Sequence, residues 1–179
     1  MMRYFFFGTL MDADVLEVVI GRRLAADAIC PARLEGYRRG LVRDESYPVL
    51  RATPGASVGG VLVDALEQAD VERIAFFEES EYATERVTVV LGDGERVDAH
   101  AHTQCALDFD SASDWDLKQW QRAEKAEFLT LARYWMANYG SDDIAAAEAQ
   151  WDRLKAQLAS QRDPGEVKLF SRLRSFGSS

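Results

Sequence analysis

The chain opens on an unbroken apolar run, Arg3 to Phe7, whose aromatic residues predict a short buried strand. Gly8-Thr9-Leu10 breaks it, and Asp12 is placed to cap a helix from Ala13. Val15, Leu16, Val18, Val19 and Ile20 follow at core spacing until Gly21 stops the helix. A strand, a glycine turn and a helix N-terminus can aim backbone N–H groups at an anion. The pattern alone reads first as a tight connection, since Gly-Thr is common in turns.

The next stretch alternates short apolar segments with turn residues. Strands are predicted over 28–34 and 39–42, with Gly36 marking a turn between them. Tyr47-Pro48-Val49-Leu50 reads as an edge strand or extended loop, because proline cannot donate to a ladder. Pro54-Gly55 signals another turn, and Val58 to Val63 a strand. Gly59-Gly60 inside that strand suggests a bulge, a bend or the close approach of another backbone. Short strands at such intervals point to a small barrel or a strongly curved sheet. A helix is predicted from Leu66 to Phe77, with Leu66, Ala69, Val71, Ile74 and Phe77 roughly on one side. Glu81 to Leu91 alternates as a strand, Gly92-Asp93-Gly94-Glu95 turns it, and Arg96 to Thr103 returns. Asp98, His100 and His102 share one face of the return strand and could be drawn as metal ligands. The alternation reads instead as a solvated strand face, and no metal is expected.

The character changes after Asp108. The Asp-Ser-Ala-Ser-Asp segment at 110–114 is linker-like, with Ser113 or Asp114 as the expected N-cap of a helix reaching Tyr139. Leu117, Trp120, Ala123, Leu131 and Tyr134 or Trp135 form its stripe. Gly140-Ser141 ends it, and Ser141 is the expected cap of a second helix carrying Ile144, Ala147, Trp151, Leu154 and Leu158. So short a connection predicts antiparallel packing. The tryptophans could be drawn as a ligand cage, but a stripe of this kind reads as core or as an oligomer surface, such as that of a homodimer formed through the C-terminal helices. The organisation expected is a first domain over 1–110, a helical extension over 111–161 and a partly mobile tail over 162–179.

Composition narrows the function classes. At 179 residues, 47% hydrophobic and 28% charged, the chain is an ordinary globular sequence long enough for one well-buried domain. A formal charge of −9 argues against a nucleic-acid partner, whose affinity rests on clustered Lys and Arg. Arg22-Arg23 and Arg38-Arg39 are too short to form a basic patch. Cys30 and Cys105 lack zinc or disulfide spacing. There is no signal-peptide pattern and no apolar span of about 20 residues, so a cytoplasmic location away from membranes is expected.

One candidate for chemistry remains. Glu78 directly follows Phe76 and Phe77, and burial beside two rings can raise a carboxyl toward neutrality, where a general base works. By itself it could equally be a solvated acid among Glu72, Glu79, Glu81 and Glu85. The order of several motifs decides between these readings. Phe7-Gly8-Thr9-Leu10-Met11 after an aromatic strand resembles the Tyr-Gly-Thr-Leu loop of the gamma-glutamylcyclotransferase-like superfamily, in its gamma-glutamylamine cyclotransferase and avirulence-induced-gene-like branch. Leu34-Glu35-Gly36-Tyr37 is similar to that branch's Leu-x-Gly-Tyr, Tyr47-Pro48 to its Tyr-Pro pair, and Val58-Gly59-Gly60-Val61 to its Val-x-Gly strand. Phe77-Glu78 with Tyr82 and Arg86 resembles the Phe-Glu-Gly…Tyr…Arg segment that carries the family's catalytic glutamate.

The resemblance spans roughly residues 3 to 103. It implies an α+β fold, a small mixed β-barrel with flanking helices, to which the helical hairpin is added. It implies a reaction that cyclises a gamma-glutamyl amine or peptide to 5-oxoproline and releases the amine, with neither cofactor nor metal. Glu78 would be the acid–base residue. Phe7, Gly8, Thr9, Leu10 and Tyr82 would bind substrate, and Glu79, Arg86 and Tyr47 would support them. The sequence departs from the pattern at four places. Phe7 stands where Tyr is usual, Glu79 for Gly, Ala75 where Asp is common, and His102 where a strand Tyr is expected. Phe7 and Glu79 are the features that would favour the alternative, a non-catalytic binding module that kept the fold.

Overall fold

A computed structural model of the chain describes residues 2–42, 47–78, 82–105, 109–110 and 115–160. Five strands close into a mixed barrel: β1 (Met2–Phe6), β2 (Ile29–Val42), β3 (Pro48–Leu66), β4 (Tyr82–Leu91) and β5 (Arg96–Cys105), while β6 (Phe109–Asp110) adds to the end of β2. β1 lies between β3, antiparallel with Phe6 opposite Val61, and β5, parallel with Tyr4 opposite His100. β5 pairs with β4, β4 with β2, and β2 with β3, so among these five no edge is left open.

Two expected turns turn out to be irregularities inside long strands. Gly36, at φ +80°, sits where the β2–β3 register shifts between Glu35 and Tyr37, so the predicted pair of strands over 28–42 is a single bulged one. Pro54-Gly55 lies within the matching excess of β3, which runs unbroken from Pro48. A glycine at positive φ marks a bulge as readily as a turn, and local sequence does not tell them apart. The hairpin at 92–95 forms as expected, with Gly94 at φ +89°.

Alternation along the strands divides the core. Phe5, Phe7, Leu34, Leu50, Leu62, Val87, Val89 and Ala101 fill the barrel. Tyr4, Phe6 and Val63 face outward against a helical layer. In that layer α1 (Ala13–Ile20) begins at Asp12, whose carboxylate accepts the N–H groups of Asp14 and Val15, and ends at Gly21 with φ +78°. α2 (Gln68–Glu78) begins where Asp70 reaches back to the Glu67 N–H (2.8 Å). Asp70 also receives Arg22, whose guanidinium bonds the Ala65 carbonyl at 2.9 Å.

Burial would raise the Asp70 carboxyl, but hydrogen bonds from Arg22 and the Glu67 N–H hold it below its ordinary 3.8. Its folded pKa is depressed, so its contribution to stability is present above 3.8 and lost as pH falls through the folded value. Asp70→Ala is expected to destabilise the fold by about 1–2 kcal/mol. The loss should shrink in urea melts taken at progressively lower pH.

The C-terminal helices belong to the same apolar layer. Trp120, Phe128, Leu131, Trp135 and Trp151 are buried in one cluster with Val15, Leu16, Val19 and Ile74. The tryptophan stripe is therefore core within this chain. The single helix expected up to Tyr139 is two, α3 (Leu117–Ala123) and α4 (Lys125–Met136), broken where Glu124 leaves the helical region at φ −134°. Hydrogen bonds continue through the break, and it lets Trp120 meet Phe128 edge to face at 5.2 Å. The cap of α3 is Asp116, which accepts the Gln119 N–H at 2.8 Å; Ser113 and Asp114 lie outside the described residues. Likewise Asp143, not Ser141, accepts the Ala146 N–H (3.0 Å) at the start of α5 (Ile144–Ser160). The 162–179 tail lies outside the described residues. No helix among the described residues is long and apolar enough to cross a membrane.

Candidate active site

Chain direction brings the candidate residues to one end of the barrel. Leu66 at the end of β3 pairs with Met2 at the start of β1, and α2 departs from there. An eleven-residue helix runs about 16 Å, close to the length of the five-residue β1 beside it. β4 then begins against the end of β5, which runs parallel to β1. Glu78, the last residue of α2, therefore arrives at the end of the barrel from which Gly8-Thr9-Leu10 departs.

Among the described residues no hydrogen bond or ion pair reaches the Glu78 side chain. Its carboxyl is pushed up from 4.5 to about 7 by burial, the cause foreseen from its two aromatic predecessors. Those rings fix the end of α2 against the helical layer. Phe76 stacks on Trp135 at 5.0 Å, Phe77 meets Phe128 edge-on at 6.2 Å, and the Trp135 indole donates to the Phe76 carbonyl at 3.3 Å.

The opposing loop is a single 3-10 turn. Met11 N–H donates to the Gly8 carbonyl (2.9 Å) and Asp12 N–H to that of Thr9 (3.0 Å). The N–H groups of Gly8, Thr9 and Leu10 stand at the N-terminal end of this turn. The N-terminus of α1 is not the anion site that the pattern allowed, because Asp12 occupies its Asp14 and Val15 donors. Thr9 and Leu10 are buried, and Phe7 turns its ring into the barrel. Pro48 lies against the loop: a Cβ added at Gly8 would meet its Cγ at 3.1 Å. Tyr47, next to it, is buried too.

The remaining candidates divide. Tyr82 is the first residue of β4, opposite Cys105, at the same end of the barrel. Arg86 is not part of this group. It projects from the outer face of β4, largely exposed, and pairs with Asp98 at 3.6 Å. Glu79 lies outside the described residues. The face expected to be solvated around His100 and His102 is partly covered by Tyr4, whose ring lies 5.4 and 5.8 Å from theirs. Burial pushes His102 down to about 4, which keeps it neutral. Among the described residues no cluster of three metal-ligating side chains occurs.

Some residues at the site carried no sequence signal. Arg39, set aside as half of a short basic pair, donates to the carbonyls of Phe7 (2.9 Å) and Gly59 (3.3 Å) and lies over the Trp115 ring at 5.2 Å. It ties the end of β1 to β3. Thr103, which the register of β1 and β5 brings to the level of Phe7, donates its hydroxyl to the Glu85 carboxylate. Only alternation read together with strand pairing finds these, since side chains from three strands must be placed at once.

The chain as a whole is similar to known proteins. The profile of the family described as "Gamma-glutamyl cyclotransferase, AIG2-like" matches residues 4–122. "AIG2-like protein C" of Arabidopsis thaliana is 24% identical over 136 residues, covering 75% of this chain and 77% of that protein. Two solution structures of Arabidopsis thaliana proteins share the fold. One has a TM-score of 0.56 at 20% identity, covering 80% of this chain and 86% of its own. The other has a TM-score of 0.55 at 23% identity, covering 72% and 86%.

Proposed function

Since the chain belongs to the gamma-glutamyl cyclotransferase, AIG2-like family, we propose that it cyclises a gamma-glutamyl amine or peptide to 5-oxoproline, with Glu78 as the one acid–base residue. The observation that carries this reading is a carboxyl raised to about 7 at the barrel end from which the Gly8–Leu10 turn leaves.

The chemistry asks little of the protein. The substrate's own α-amine is the nucleophile, and its γ-carbonyl lies within reach of a five-membered ring, so proximity is built in. The Glu78 carboxylate removes a proton from the α-ammonium. The freed nitrogen attacks the γ-carbon, and the carbonyl electrons move to oxygen. When the tetrahedral intermediate collapses, the bond to the leaving nitrogen breaks as the Glu78 carboxyl returns the proton to that nitrogen, and the ring nitrogen passes its second proton through solvent to the departing amine, which leaves as the ammonium. The products are 5-oxoproline and the free amine. A base near pKa 7 exists in both forms at neutral pH, which suits one group to both transfers. The N–H groups of Gly8, Thr9 and Leu10 are the donors for the developing oxyanion or the substrate carboxylate. Phe7, which leads into the turn, and the start of β4 at Tyr82 flank the same barrel end by their chain positions.

The test is release of 5-oxoproline, quantified chromatographically, from a panel of gamma-glutamyl amines and dipeptides. Turnover of at least one of them is expected. If none is turned over while calorimetry still detects binding, the chain is a ligand-binding protein that retains the fold.

A further inference from the structure

Both halves of the proposed site are held by the helices that follow the barrel. Helix α4 packs on α2 through the Phe76–Trp135 and Phe77–Phe128 ring pairs, and so fixes where Glu78 ends. The loop half is held differently, by polar contacts to Asp12. That carboxylate is buried directly after the Gly8–Met11 turn. One oxygen accepts the Asp14 and Val15 N–H groups. The other accepts Gln121 Nε2 at 2.6 Å and Lys125 Nζ at 2.8 Å. Lys125 also meets Asp14 at 2.7 Å and is three-quarters removed from solvent. These contacts join residues more than a hundred positions apart in sequence.

We propose that Gln121 and Lys125 are positioning residues for the substrate loop, acting through Asp12, and that α3–α4 is a brace without which the Gly8–Leu10 donors lose their aim. This rests on the site assignment above, but its first readout does not need turnover. Asp12 is at once the cap of α1 and the last hydrogen-bond donor of the turn that precedes it, through its N–H to Thr9. Its carboxylate cannot shift without moving that turn. Without Lys125 and Gln121 the carboxylate would be a buried charge with one side unpaired, and it would rotate toward solvent. A displacement of 1 Å at a positioning group can cost far more than the lost contact itself.

The experiment compares Lys125→Met, Gln121→Leu and the double variant with Lys125→Arg, and with Lys118→Met as an exposed control on α3. Amide hydrogen exchange at Met11 and Asp12, whose N–H groups close the turn onto Gly8 and Thr9, is expected to speed up about tenfold or more in Lys125→Met and Gln121→Leu, and further in the double variant. It should stay near wild type in Lys125→Arg and Lys118→Met. In 5-oxoproline release, KM should rise by about tenfold with a smaller change in kcat, and Lys125→Arg should recover most of it. Loop exchange that stays at the wild-type rate in the double variant, whatever happens to the melting temperature, overturns the proposal. Faster loop exchange in a protein that releases no 5-oxoproline would uphold the brace and refute the activity.

Discussion

Replacing Glu78 with Gln is expected to lower kcat/KM for 5-oxoproline release by about 10²–10⁴-fold, the usual contribution of a general acid–base. The same change should make the fold more stable at pH 8. Both follow from a carboxyl that burial has pushed from 4.5 to about 7. The native state holds a proton that the unfolded chain has already released. The stability linked to Glu78 is fully present below pH 4.5 and is lost as pH rises through 7. The loss approaches an upper limit on the order of 3 kcal/mol. Glutamine is neutral throughout, so the variant should melt above wild type at pH 8 and near it at pH 4.5, by scanning calorimetry. Wild-type kcat/KM should climb with pH to a plateau above about 7, as a base of that pKa becomes ionised. A Gln variant that still turns over at the wild-type rate would put the base elsewhere.

Gly60→Ala should be the most damaging single methyl in the barrel. A Cβ built there lies inside contact distance of the Phe6 carbonyl oxygen and 2.5 Å from Phe5 Cζ. The first is backbone, fixed by pairing of Phe6 with Val61, and the second is a fully buried ring. Neither can move without opening β1 from β3, so a cost of about 3 kcal/mol or more is expected. Urea unfolding should show it as a lower midpoint. Gly59→Ala, with open space where its Cβ would lie, serves as the control and should stay close to wild type.

Much of this was legible in the chain. The β1 run, the Asp12 cap, the Gly21 stop and the 92–95 hairpin are local, each set by residues within one turn of where they act, and each formed as read. The raised carboxyl of Glu78 has the direction that its place after two aromatic residues suggested, with burial as the cause. Misreadings arose where a local signal has two long-range meanings. Gly36 and Gly55 signal a left-handed residue, and only the partner strand decides between turn and bulge. The histidines of β5 alternate like a solvated face, yet Tyr4 comes from the first strand to cover them. Lys125 and Gln121 carry no local signal, since nothing within five residues of either reveals that Asp12 waits for them. Barrels close between distant segments, so the supports of a site at the barrel end are non-local by construction.

The position of β1 between β3 and β5 also has a kinetic side. Synthesis makes it before the other described strands, yet its parallel partner is complete only once Cys105 has been made. Until then one side of Tyr4 to Phe6, among the most apolar segments of the protein, has no neighbour. Pairings of such long sequence separation are slow to form. The nascent chain therefore carries a sticky half-barrel for about a hundred residues of synthesis. Its yield in cells should depend on chaperones and on the pace of translation more than its final stability suggests.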